Sequence, residues 1–208
     1  MARKAKGGAK AAAIDQEILE AALELAETEG WDQVRLRRVA ERLGLPLSEV
    51  LLHYRDLDAV ADAWFARALA AMLATPPEEI AALPPRERLH LLLMRWFDAL
   101  AGHRRVTREM LSTKLYPSHP HHWVPMIFNL SRTIQWLRDA AMLDAGGLRR
   151  QVEEVGLTGL FLATLAVWQR DESEGQERTR TFLARGLGLA DKVLGRVQRP
   201  TPRSSGEA

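Results

Sequence analysis

The sequence predicts an all-α fold: an N-terminal helix-turn-helix, three-helix module followed by a C-terminal helical domain, about nine helices together. Three observations carry this. Apolar residues recur at three- and four-residue spacing in nearly every segment, and no stretch shows convincing period-2 alternation. Glycine and proline, at Gly30, Pro84-Pro85 and Gly146-Gly147, cut the chain into helix-length pieces. Residues 34–54, VRLRRVAERLGLPLSEVLLHY, read as two short helices joined at Gly44-Leu45-Pro46.

The first helix starts at Asp15, a good cap, carries Ile18, Leu19, Ala22, Leu23 and Leu25 on its apolar side and stops near Gly30, with Trp31 packed beneath it. In the second, Val39, Ala40 and Leu43 line one side, and Ala40 is small enough for helices to cross closely. Gly44 suits the left-handed conformation that ends a helix, and Pro46 the first position of the next. In that third helix Val50, Leu51 and Tyr54 recur at helical spacing. A fourth helix spans about 57–74, with Val60, Trp64, Ala68 and Met72 on one face. The proline-bearing stretch TPPEEIAALPPRER marks a boundary, and the fifth helix after Pro84-Pro85 carries Leu89, Leu92, Leu93, Trp96 and Leu100. Thr107 is placed to cap a short sixth helix that ends near Tyr116-Pro117; SHPHH reads as a loop because Pro117 precedes it and Pro120 interrupts it. A seventh helix covers about 124–143, and two long ones about 148–170 and 175–195. The expected organisation is a disordered basic arm at 1–11, the helix-turn-helix domain at 12–56, a C-terminal helical domain at 57–197 and a disordered tail at 198–208.

Composition excludes several classes. The 208 residues are 47% apolar and 27% charged, as in ordinary globular proteins, and the mean hydropathy of -0.20 with no long uncharged apolar run argues against a membrane span. There is no cysteine, which removes disulfides, cysteine-ligated zinc and thiol catalysis and fits a cytoplasmic location. No nucleophile–base pair, phosphate-cradling glycine loop or metal-binding His-Glu spacing occurs, so neither an enzyme nor a cofactor is expected. Arg3, Lys4, Lys6 and Lys10 form a basic arm, and Arg196, Arg199 and Arg203 a basic tail; such arms attract phosphate, or are solvated termini.

ILEAALELAETEGW, VAERLGL and HYRDLDAV, at fixed spacing over about 45 residues, resemble the tetracycline-repressor (TetR) family of transcriptional regulators. The resemblance implies a homodimer formed through the last two helices. It also implies a pseudo-palindromic DNA operator and a small hydrophobic effector in the C-terminal, ligand-binding and dimerisation domain. A second, weaker resemblance is to the ubiquinone-biosynthesis auxiliary family, lipid-binding proteins of the same fold. It rests on the GW before an Arg-rich second helix and on LAVWQRDESEGQERTRTFLARGL, and it implies the alternative of an isoprenoid-binding accessory protein without DNA binding.

Arg35 stands where the family has a Ser or Thr cap, Leu51 where it has a phosphate-binding Tyr, and Leu57 where it has a Lys. Residues 11–58 hold five arginines against eleven acids, a net charge of −6 that opposes a duplex. The residues left to contact DNA are Arg37, Arg38, Ser48, His53, Tyr54, Arg55 and Lys10, with Arg37 and Arg38 on the helix that usually meets phosphate. Trp96, Met110, Trp123, Met126, Phe128, Trp136, Phe161 and Trp168 would line an apolar effector cavity or, equally, build a solid helical core. His119, His121 and His122 form the one histidine cluster; with no cysteine and no second pair at helical spacing they read as a solvated loop rather than a metal site. Gly156, Gly159, Gly186 and Gly188 in the last two helices permit close approach, either across a dimer interface or within one subunit.

Overall fold

In the computed structural model the described residues are 2–114 and 120–197, with side chains for 10–113 and 130–192. They form α1 (Ala2–Glu29), α2 (Leu36–Leu43), α3 (Leu47–His53), α4 (Leu57–Leu73), α5 (Pro77–Ala81), α6 (Pro85–Leu100), α7 (Arg104–Lys114), α8 (Pro120–Ala140), α9 (Gly147–Trp168) and α10 (Glu177–Val197). Among the described residues there is no strand, so the all-α class holds. The one-turn α5 joins the nine expected helices: Pro77 sits at its start, Glu78 and Glu79 face its first turn, and Ile80 anchors it in the core.

Three helix starts differ from expectation. The backbone of α1 is helical from Ala2, through the stretch expected to be a disordered arm, so Asp15 lies inside the helix and caps nothing. Alanines at 2, 5, 9, 11, 12 and 13 favour helix strongly enough to outweigh the signal of one capping residue. Thr107 lies inside α7, which begins at Arg104. Its hydroxyl donates to the His103 carbonyl and accepts from Trp64 Nε1. α8 starts at Pro120, where a missing N–H costs nothing, so His121 and His122 are in its first turn rather than in a loop. His119, the side chains of His121 and His122, and the tail at 198–208 lie outside the described residues.

The chain divides into two compact units, one of residues up to Ala74 plus Arg95–Leu130, the other of Thr75–Met94 plus residues from Ser131 onward. In the first unit, α1 supplies Ile18, Leu19, Ala22, Leu23 and Ala26 to a core shared with Trp31, Val39, Ala40, Val50, Val60 and Trp64, all buried. Trp64 Nε1 donates to Thr107 Oγ1 at 2.8 Å inside this core, and the Trp64 ring meets His103 edge-on at 5.6 Å. Phe65 stacks on Trp96 at 6.4 Å, which ties α4 to the last turns of α6. α7 clasps the end of α1: Arg105 donates to the Ala26 and Glu27 carbonyls, and Glu109 accepts from the Trp31 backbone N–H at 2.7 Å. The Glu27 carbonyl at the helix end thereby gains a partner, while the Ala26 carbonyl also accepts from the Gly30 N–H at 2.9 Å.

In the second unit, α9 and α10 form an antiparallel pair, with Leu157, Phe161, Leu183 and Leu187 buried. A Cβ added at Gly186 would lie 2.4 Å from Leu160 Cδ1, so this glycine serves close packing within the subunit. Gly156 and Gly159 face open space. The turn between the helices is organised by Asp171, which is fully buried. Its carboxylate accepts from the backbone N–H and hydroxyl of both Ser173 and Thr179. Burial on its own raises the Asp171 pKa, but the hydrogen bonds from Ser173 and Thr179 outweigh it and hold the group at about 2. Beside it Trp168 Nε1 donates to Gln176 Oε1. Arg138, near the end of α8 and buried, reaches Glu153 and Glu154 of α9 at 3.2 and 3.1 Å.

Candidate DNA interface

The helix-turn-helix is built from α2, the turn at 44–46 and α3. Gly44 takes φ 65° and ψ 25°, the left-handed conformation expected of it. The Leu45 N–H then bonds the Ala40 carbonyl at 3.0 Å and the Gly44 N–H the Glu41 carbonyl at 3.3 Å, which satisfies the end of α2. Pro46 is the residue before α3, one position earlier than expected, with φ −65° and ψ 144°. At the other end of α2, Arg35 makes no side-chain cap; its guanidinium turns back onto the Asp32 and Val34 carbonyls.

α3 has two unlike sides. Val50 (0% exposed) and Tyr54 (8%), four residues apart, point into the core. Leu47 (41%), Leu51 (48%) and Leu52 (80%) point out, together with Ser48. Leu51 therefore does not share the buried side of Val50 and Tyr54: helical spacing groups i with i+4, and Leu51 pairs with Leu47 instead.

The predicted contact residues separate accordingly. Tyr54 donates its hydroxyl to the Asp15 carbonyl at 3.1 Å, and burial first, then the nearby Asp15 carboxylate, push its phenol above the ordinary value. His53 is mostly buried, with Nδ1 2.7 Å from Asp15 Oδ1 and Nε2 3.8 Å from Glu49. Both are held against α1. Arg38 pairs with Glu29 of α1, as does Arg42 with Glu24 at 2.6 Å. Arg37, paired with Glu41 along α2, and Arg55, paired with Asp56, are solvent-exposed, as are Ser48 and Lys10. Glu24, Glu29 and Glu41 pair with Arg42, Arg38 and Arg37, arginines already counted in the module's net charge of −6, and Glu20 pairs with Arg67 of α4 beyond it. Periodicity alone missed Asp15 as the anchor of α3, because no local pattern links residues nearly forty positions apart.

The residues expected to line an effector cavity do not all turn inward. Trp96, Met110, Phe161 and Trp168 are buried in their respective units. Trp136 is 47% exposed, and so is no cavity wall; its neighbours four residues either way, Arg132 and Ala140, are not buried either, which puts it on an outer side of α8. The side chains of Trp123, Met126 and Phe128 lie outside the described residues. A half-open cavity of about 490 Å³ in the second unit is lined instead by Leu83, Arg86, Glu87, His90, Leu91 and Ala184. Among the described residues, no group of three His, Asp or Glu is placed to hold a metal, and no helix is long and apolar enough to cross a membrane.

The crystal structure of the TetR transcriptional regulator from Nitrosomonas europaea ATCC 19718 matches with a TM-score of 0.77 and 40% sequence identity over 86% of this chain and 98% of that one. The chain belongs to the TetR family. A TetR transcriptional regulator from Rhodococcus sp. RHA1 (TM-score 0.59, 17% identity, 88% of this chain and 96% of that one) shares the fold. So does Mycobacterium smegmatis AmtR (0.52, 21%, 90% and 96%). An uncharacterized HTH-type transcriptional regulator in the dhlA 5' region of Xanthobacter autotrophicus is 34% identical over 109 residues, 50% of this chain and 52% of that protein. The chain thus spans about half the length of that curated relative. No family model matches the chain. As a TetR-family protein it is a DNA-binding transcriptional regulator, and the Nitrosomonas and Xanthobacter relatives, both transcriptional regulators, do not favour the lipid-binding alternative.

Proposed function

We propose that this TetR protein acts as a homodimer that places two copies of α3 in successive major grooves of a pseudo-palindromic operator, half-sites about 34 Å apart. The observation that carries the reading is the open side of α3: a helix-turn-helix whose second helix leaves Leu47, Ser48, Leu51 and Leu52 uncovered. Residues 12–56 form the DNA-binding domain. Arg37 and Arg55, with Lys10 on α1, are its phosphate contacts; His53 and Tyr54 hold α3 to α1, and Arg38 ties α2 to Glu29 of α1. The dimer forms through α9 and α10. Along α9, Leu148, Val152, Val155, Gly156, Gly159, Leu162, Ala163 and Ala166 are exposed at helical spacing, an apolar, small-residue stripe, and α10 adds Phe182 and Leu189. A hydrophobic effector in the C-terminal domain regulates operator binding by differential affinity for two arrangements of the dimer.

A salt-titrated binding assay on the DNA flanking the protein's own coding sequence tests this. The expected result is a specific complex whose log affinity falls with log salt by about 0.9 per phosphate contacted. Arg37→Ala or Arg55→Ala should each flatten the dimer's slope by about two and weaken all sequences alike. The absence of any specific complex at low salt would overturn the reading.

A further inference from the structure

α3 carries no exposed Arg, Lys, Asn or Gln, the side chains that pair with the hydrogen-bonding edges of guanine and adenine in the major groove. What it exposes most is leucine, with Ser48 alongside, while the half-exposed Glu49 lies 3.8 Å from His53 Nε2. Leu47 and Leu51 form one row and Ser48 and Leu52 the adjoining row, each pair four residues apart, so the four side chains make a single outward surface. Nothing internal accounts for Leu52: it is 80% exposed, while the core contacts of α3 are supplied by Val50, His53 and Tyr54 on the other side. Leaving this much leucine in water is unfavourable unless a partner covers it.

Exposed cations lie on neighbouring segments. Arg37, paired with Glu41, is exposed on α2; Arg55, paired with Asp56, in the turn after α3; and Lys10 on α1. An apolar recognition surface suits a groove floor that presents hydrocarbon. One base edge in the major groove offers hydrocarbon, the C5-methyl of thymine. We infer that Leu47, Leu51 and Leu52 are the specificity-determining residues of this regulator, and that they read thymine methyl groups in each half-site by apolar contact. Ser48 supplies the one hydrogen-bonding group of the surface, to either a donor or an acceptor edge. The inference rests on the operator reading above and adds to it the base chemistry that the operator must contain.

The test begins with selection of bound duplexes from a random-sequence pool by the full chain. Single thymines of the recovered half-site are then replaced by deoxyuridine, which removes the methyl and leaves pairing unchanged. Burying a methyl is equivalent to about a fourfold change in affinity, so uracil at a contacted position should weaken binding about fourfold. Leu52→Ala, at a position too exposed to disturb folding, should lose the thymine–uracil difference at one position of the half-site and keep it at the others, while its salt slope stays unchanged. Equal binding of both duplexes by the unaltered protein, with the operator complex intact, overturns the inference alone. A pool that enriches no duplex overturns it together with the operator reading. So does binding of the unaltered protein to anionic phospholipid vesicles that Leu52→Ala abolishes, when no duplex is enriched, because a lipid surface is then the occupant.

Discussion

Single carboxylates in this regulator do work that helices cannot do for themselves. The Asp15 carboxylate meets His53 Nδ1, while its backbone carbonyl accepts from the Tyr54 hydroxyl, and Glu109 of α7 takes the Trp31 N–H just past the end of α1. Asp171 is the most demanding case, since a fully buried carboxylate is stable only if its oxygens are satisfied. Replacing it with Ala strands the N–H groups of Ser173 and Thr179 and should cost about 2–3 kcal/mol, read as a lower urea midpoint. The pH dependence has a definite sign. The folded pKa, about 2, lies below the ordinary 3.8, so the folded state favours the ionised form. That contribution is complete above the ordinary value and is lost as pH falls through about 2. Urea titrations across this range should show the gap between the native protein and Asp171→Ala wide near neutrality and narrowing in acid. A gap that widened in acid would contradict the assignment.

At the scale of the element, the α2–α3 turn depends on one backbone conformation. Gly44 has φ 65° and nothing within 4 Å of where a Cβ would stand, so a side chain there is opposed by backbone strain alone. Gly44→Ala should cost roughly 1–2 kcal/mol, and Gly44→Asn less, because Asn tolerates the left-handed region. Differential scanning calorimetry of the two variants checks the order. The long helices are governed by packing instead. Gly186 lets α10 lie close on Leu160 of α9, while Gly156 and Gly159, equally apparent in the sequence, face outward. The identity of these glycines says that something comes close; only the folded arrangement separates the partner within the subunit from one outside it.

For the molecule as a whole, the exposed stripe on α9 is the feature most at odds with a monomer. Leu148, Val152, Val155 and Leu162 lie exposed along one helix, with no covering side chain among the described residues. Leu162→Glu should leave the subunit folded, because position 162 is already in water. It should also shift sedimentation at micromolar concentration from dimer to monomer and, by separating the two reading heads, weaken operator binding far more than non-specific binding. A variant that remained dimeric would place the interface elsewhere.

Read alone, the sequence determined the helical class, the run of helices, the αL glycine that ends α2 and the family motif from Ile18 to Val60. All of these are local: they follow from apolar spacing of three and four, from the conformational freedom of glycine and from a few small residues at fixed distance. It also showed that Arg35, Leu51 and Leu57 depart from the family. Tertiary structure decided which side of each helix is covered, and that altered the candidate site most. His53, Tyr54 and Arg38 look like surface contacts until α1 is placed against them, and their partners Asp15 and Glu29 are too far along the chain for any local pattern to join. The same packing turns Leu47, Leu51 and Leu52 outward. A leucine in a short helix reads as core by composition; it becomes a candidate reader of bases once Val50 and Tyr54 occupy the inner side and leave it in water.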